Sequence, residues 1–283
     1  MGTGTGLEAL SVLAEGLDHP ECVATSPEGV LYAGGEAGQI YRVDTTHGSV
    51  REVANTGGFV LGISFDGNGR CYACDIRRNE LLRVDVERGG VEVYSRGTGE
   101  RPLVNPNLGA FDAQGNCYLT SSGSWHGDDG CIFRVDPSGR TDLWCTESSQ
   151  FPNGCCIDGR SLLVAESTAN AVTRIPIRPD GSAGPREVVV ELPGAIPDGV
   201  ALDVEGTMYV CCYRPDRVYM VTQDGTARIL ADDPEGTLLA APANCAWIGE
   251  RRERFVCANL GRWHLTAGIV GPPGRALPMP MLP

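Results

Sequence analysis

The sequence is short of the features that mark most functional classes. No basic start leads into an apolar run, and no later stretch has the apolar length needed to cross a bilayer. The expectation is therefore a soluble, cytoplasmic protein without a membrane partner. Basic side chains are scattered, and the formal net charge is −13, so the footprint of a nucleic-acid binder is missing. Histidine is scarce, at four residues, with no pair at zinc spacing. A single CxxC, Cys71 and Cys74, stands without a second and reads as strand rather than zinc knuckle. The opening GTGTG is not followed by a strand-to-helix unit, and neither GxSxG nor a Walker loop occurs. No long amphipathic helix pattern is present either, which excludes helical architectures.

What the chain does have is glycine (38) and proline (19) in quantity, which with 42% hydrophobic residues predicts a globular chain with many tight turns. Twelve cysteines are read as reduced, because no secretory segment accompanies them. A repeat runs through the chain. GVLYAGGEAGQIYRVD, GRCYACDIRRNELLRVD and GNCYLTSSGSWHGDDGCIFRVD are followed by RSLLVAESTANAVTRIPI, GTMYVCCYRPDRVYMVT and RERFVCANLGRWHLTAGIV. Their equivalent strand positions, Leu31, Cys71, Cys117, Leu162, Met208 and Phe255, are separated by 40, 46, 45, 46 and 47 residues. That period is one four-stranded blade, roughly 40 to 50 residues. Residues 1–283 are thus expected to form a single all-β domain, a six-bladed β-propeller with a central metal site. A strand from about Glu8 to Leu17 is a candidate to complete the last blade.

Ahead of each marked strand lies a second recurring element: HPECVATS, FVLGISFD, NPNLGAFD, FPNGCCID, IPDGVALD and APANCAWI. Aligned, these put Glu21, Gly62, Asn107, Asn153, Asp198 and Asn244 at one phase. Equivalent positions of successive blades are related by rotation about the axis, so their side chains converge. Five of the six are carboxylates or carboxamides, the oxygen donors that suit a hard cation. Asn and Asp after proline also serve as ordinary turn residues, but Glu21 is no turn former.

These residues resemble the regucalcin (senescence marker protein) and gluconolactonase family and, more distantly, the diisopropylfluorophosphatase and lactonase propellers. The resemblance implies that Glu21, Asn153 and Asp198 are metal ligands. Asn107 stands where members use asparagine as a ligand or a substrate contact. It implies one divalent ion, Ca²⁺ first, with Mg²⁺, Mn²⁺ or Zn²⁺ as alternatives. Sugar-lactonase members carry Arg-x-Asn where this chain reads Asn105-Pro106-Asn107, so a sugar lactone is a less secure substrate.

The reading that follows is a metal-dependent hydrolase of a lactone or related cyclic ester, with Asp198 as ligand and general base. Metal-dependent ring opening, cyclisation or isomerisation is an alternative. So is a non-catalytic calcium-binding scaffold, because fold alone does not settle function. Candidates for substrate contact are Asn105, Trp125, His126, Glu166, Tyr213, Asn244 and His264, with Asp75 and Trp263 also on the expected pocket wall. His19 is expected in a turn at the mouth and His47 at an outer hairpin tip.

Overall fold

The computed structural model describes residues 6–283; most of the GTGTG opening therefore lies outside the described residues. Its 24 strands form six four-stranded antiparallel sheets, the blades of a six-bladed β-propeller. Blades 1 to 5 are consecutive in the chain, at residues 23–55, 60–95, 106–145, 152–191 and 196–232. Blade 6 takes its three inner strands from Pro242–Ile248, Arg254–Asn259 and His264–Gly268, and its outermost strand from Leu10–Glu15 near the other terminus. That strand pairs antiparallel with His264–Gly268 and closes the ring as its sequence position predicts. The radial arrangement leaves only short sheet edges, the inner ones lining the central channel. Innermost strands of successive blades contact one another all the way round, the first touching both the second and the sixth.

The core is divided into six wedges, one at each junction between blades. Second strands such as Cys71–Asp75 and Cys117–Ser121 are buried on both faces and so read as apolar runs rather than alternations. Period-two geometry sends Cys71 and Ala73 into the wedge towards blade 1, and Tyr72 and Cys74 into the wedge towards blade 3. The two cysteines of the CxxC thus point to opposite faces of their sheet, where they fill space. All twelve cysteines are buried free thiols.

An aspartate after the inner strand closes the hairpin at the lower rim in blades 2, 3 and 5. Asp66 Oδ1 accepts from the backbone N–H groups of Asn68 and Arg70 at 2.9 and 3.0 Å, and Gly69 takes the positive φ of 78° that this turn requires. Asp112 and Asp203 repeat the arrangement. Beyond blade 6 the C-terminal tail follows no repeat. It leaves blade 5, where Arg275 N–H donates to Leu202 O at 2.9 Å, and reaches blade 2, where Gly67 N–H donates to Pro280 O at 2.8 Å. Blades 2 and 5 are opposite in a ring of six, so the tail spans the lower face along a diameter. No helix among the described residues is long and apolar enough to cross a membrane.

Candidate metal centre

Each blade begins at the upper rim, where its inner strand enters. Strand register fixes which residues are equivalent there. Val23, Ile63, Gly109, Cys155, Val200 and Cys245 each pair with the position two beyond the marked strand residue. Counting back two residues, the ring of equivalent positions is Glu21, Leu61, Asn107, Asn153, Asp198 and Ala243. Glu21, Asn107, Asn153 and Asp198 are therefore at one level, while Gly62 and Asn244 are corrected to the level below. Every register from blade 2 to blade 6 shifts at this rim by a bulge that puts one extra residue in the inner strand. The rim residues of blades 2 and 6, Leu61 and Ala243, have no polar side chain to mark that level in the sequence. Bulges re-aim side chains, and here they turn the rim residues out of the regular alternation.

The backbone at the rim is held in an uncommon conformation. His19, Asn105, Phe151 and Ala241, each followed by proline, have φ values of 42°, 51°, 54° and 48°. A non-glycine residue there costs on the order of 1–3 kcal/mol and persists where its surroundings over-determine it. The surroundings here are hydrogen bonds from the ends of second strands and the loops after them. Ser122, Ser167 and Leu260 N–H groups donate to the carbonyls of Asn105, Phe151 and Ala241 at 3.0, 3.1 and 3.1 Å. Asp75 Oδ1 accepts from Phe59 N–H at 3.1 Å, Ser121 Oγ from Val104 N–H at 2.9 Å, and Asn259 Oδ1 from Ala240 N–H at 3.0 Å. The hydroxyls of Ser122 and Ser167 donate to Pro152 O and Pro197 O at 2.8 and 2.7 Å, fixing the residues just ahead of Asn153 and Asp198. Two glycines complete the frame. A Cβ on Gly154 would lie 2.6 Å from Asp198 O, and one on Gly199 2.6 Å from Ala243 O, so neighbouring inner strands approach closely only because those side chains are absent.

Glu21, Asn107, Asn153 and Asp198 are 6, 4, 5 and 6% exposed. Burial, then the charge of Asp198 and that of Glu36, push the Glu21 carboxyl well above the usual range. Burial also pushes Asp198 well up, while the Asn153 amide pulls the other way. The orientation of Asn153 follows from its partners. Ser167 spends its proton on Pro197 O, so its oxygen accepts from Asn153 Nδ2 at 3.1 Å. Asn153 Oδ1 is left buried with no partner. Two buried carboxylates outside any ion pair among the described residues, plus an orphaned amide oxygen, are an uncompensated set of hard oxygen donors. That is the chemistry a divalent cation fits.

The other predicted residues divide. Glu166 is fully buried, its Oε1 accepting from Thr173 Oγ1 and Arg186 Nε at 2.7 Å each, and Asp75 is likewise buried with Oδ1 on backbone N–H groups, while Glu166 Oε2 and Asp75 Oδ2 have no partner among the described residues. These two are framework rather than pocket wall, a correction that follows from the inward packing of second-strand ends. His264 is buried, with Nε2 bound to Leu238 O at 2.9 Å. Asn105 turns its amide onto Gly123 O at 2.9 Å. Asn244, half-buried, lines an axial cavity of about 410 Å³ below the site, walled by all six inner strands and floored by the tail at Arg275–Met279. Trp125 and His126 are exposed on the long loop of blade 3, and Tyr213, half-buried, carries the Arg214 guanidinium 4.9 Å over its ring. His47 is exposed at a hairpin tip beside Asp44. His19 is at the rim, 3.0 Å from Asp18 and 3.3 Å from Glu36. These three groups could also approach an ion, although Asp18 already accepts from Ala37 N–H and Gln39 Nε2. Sequence reasoning missed Ser121, Ser122, Ser167 and Asn259; the signal was a polar residue four or five places beyond each marked strand position.

With this geometry, comparison with known proteins is informative. The profile of the SMP-30/Gluconolactonase/LRE-like region matches residues 27–258. The chain belongs to this family. A shorter match, to the strictosidine synthase-like N-terminal region, covers residues 4–43. Lactonase drp35 of Staphylococcus haemolyticus is 20% identical, over 74% of this chain and 80% of its own. Among solved structures, the calcium-binding protein regucalcin of Agrobacterium tumefaciens superposes with a TM-score of 0.82 at 17% identity, over the whole of both chains. A gluconolactonase of Xanthomonas campestris gives 0.77 at 19% identity, over 91% of this chain and 88% of its own. At these identities the two structures establish that the SMP-30/gluconolactonase fold is shared.

Proposed function

We propose that this member of the family is a divalent-metal-dependent hydrolase that opens a lactone or related cyclic ester. The observation that carries the reading is the buried pair Glu21 and Asp198, without a cationic partner among the described residues and beside the free acceptor Asn153 Oδ1. Glu21, Asn107, Asn153 and Asp198 would hold the ion, and Ca²⁺ suits an all-oxygen set. Bound there, the ion supplies Lewis acidity that polarises the ester carbonyl and acidifies water. Asp198 takes the proton of the attacking water as its oxygen bonds to the carbonyl carbon. The ring C–O bond then breaks, and its oxygen regains a proton to give the hydroxy acid. Asn107 and Asn153 orient without adding charge, and the serine bonds behind them hold that orientation. Names of relatives, a lactonase and a gluconolactonase, support the same class.

The calcium-binding description of the regucalcin neighbour favours a second reading, a calcium-binding propeller without catalysis. One experiment separates them. The protein loaded in turn with Ca²⁺, Mg²⁺, Mn²⁺ and Zn²⁺ is assayed by pH-stat against a panel of lactones and esters. Acid release that is abolished by chelator supports the hydrolase. Tight Ca²⁺ binding with no acid release on any substrate supports the scaffold.

A further inference from the structure

Access to the buried carboxylates is from the upper rim, and the rim is built from the loops that join second to third strands. Most charged groups on those loops are already engaged. Arg78 pairs with Glu80 at 2.8 Å, Arg214 with Asp216 at 2.9 Å, and Arg262 donates to Gly236 O at 3.2 Å. The Asn105 amide is turned onto Gly123 O, and His19 is flanked by Asp18 and Glu36. Two large apolar side chains remain open to solvent. Trp125, 39% exposed, is on the blade 3 loop, and Trp263, 56% exposed, is on the blade 6 loop.

Their placement is specific in two ways. Blades 3 and 6 are opposite in a ring of six, so the indoles stand on opposing sides of the mouth. Each is also packed edge-on against the residue two places ahead of a buried site residue. Trp125 meets Phe151 at 4.6 Å between centroids, ahead of Asn153, and Trp263 meets His19 at 5.6 Å, ahead of Glu21. Phe151 and His19 are two of the positive-φ rim residues, so the tryptophans pack on the residues that lead into the buried site. The loop bearing Trp125 is further pinned at its base, where Asp129 accepts from Ser124 N–H and Oγ at 2.8 and 3.1 Å. Exposed aromatic faces held rigidly around a concave polar centre are characteristic of ligand recognition rather than of packing.

We infer that Trp125 and Trp263 are opposed aromatic walls that select a lactone with a flat apolar or aromatic body over a polyhydroxylated one. A polyol would cover both indoles and find the exposed Arg77 and His126 as loop donors, whereas an aromatic ring stacks on one or both. The inference rests on the hydrolase reading above for the word lactone, but not for the apolar selection itself.

The test compares three substrates with the Ca²⁺-loaded protein: an aromatic ring-fused six-membered lactone, a polyhydroxylated six-membered lactone and an unsubstituted one. Wild type is expected to favour the aromatic lactone over the polyhydroxylated one in kcat/KM. Trp125→Ala and Trp263→Ala should each reduce the aromatic-over-unsubstituted preference by about three- to tenfold, the worth of one aromatic contact, chiefly through KM. Trp→Phe at either position should restore most of it. A wild-type preference for the polyhydroxylated lactone, or alanine variants that keep the aromatic preference, overturns the inference. Calorimetric titration with the matching aromatic lactam, which is not hydrolysed, gives a readout without turnover. Saturable binding weakened by the same factor in the alanine variants upholds the walls even if no lactone is opened, in which case the hydrolase reading alone fails. No binding of the lactam to wild type overturns the walls.

Discussion

Replacing Asp198 by asparagine is expected to stabilise the chelator-stripped protein while disabling it. The side chain is 6% exposed and is buried together with Glu21, and no cationic side chain pairs with either among the described residues. Asparagine has nearly the same shape, so no cavity opens, and it removes one buried charge. Relief of this kind is worth about 0.5–2 kcal/mol, or roughly 1–8 °C in Tm for a chain of this size. The sign with pH follows from the raised carboxyl. The native state holds a proton that the unfolded chain releases near its ordinary value of about 4. Stability of stripped wild type therefore falls as pH rises above that value towards the higher folded one, and Asp198→Asn should flatten that fall. At pH 5 the two proteins should melt closer together than at pH 8. The same substitution removes the proposed base and should lower kcat by about 10²–10⁴-fold. Differential scanning calorimetry in EDTA from pH 5 to 8, with pH-stat turnover alongside, measures both. A stripped variant less stable than wild type at pH 8, or identical pH slopes, would refute the reasoning.

Two further substitutions probe the framework. Gly154→Ala places a Cβ 2.6 Å from the backbone oxygen of Asp198, so a strand must shift; a loss of about 1–3 kcal/mol with weaker metal binding is expected by urea denaturation and calorimetry. Arg186→Ala leaves the fully buried Glu166 without its partner and should cost about 3 kcal/mol, the lower end for a buried pair because the arginine is partly exposed, with metal affinity retained.

The ring was legible in the sequence because the blades repeat one solution: an apolar second strand throughout, an inner strand led by proline in every blade but the second, and an aspartate-closed hairpin in blades 2, 3 and 5. Closure by a strand within residues 8–17 was legible for the same reason, since blade 6 lacks its fourth strand downstream. The four rim donors were found because rotation makes equivalent positions neighbours. Their exact phase was not fully legible. Leu61 and Ala243 carry no polar side chain to mark the phase, so Gly62 and Asn244 were taken for them, and an apolar pair that flanks blade 1 was missed. Glu166 and Asp75 were misread because a charged residue at a strand end looks the same whether it faces a pocket or holds a loop. Only the partners, Arg186 and Phe59 N–H, decide that. The tail that spans the lower face repeats nothing and left no periodic signal.

One divalent ion is proposed to sit among Glu21, Asn107, Asn153 and Asp198. Isothermal titration of Ca²⁺ into the chelator-stripped protein tests it most directly, with wild type beside Glu21→Gln, Asp198→Asn and Glu36→Gln. The account predicts one ion per chain, lost or weakened at least a hundredfold in the first two variants and retained in the third. Binding that survives Glu21→Gln and Asp198→Asn but disappears in Glu36→Gln would contradict it and move the ion to the Asp18–His19–Glu36 group at the rim.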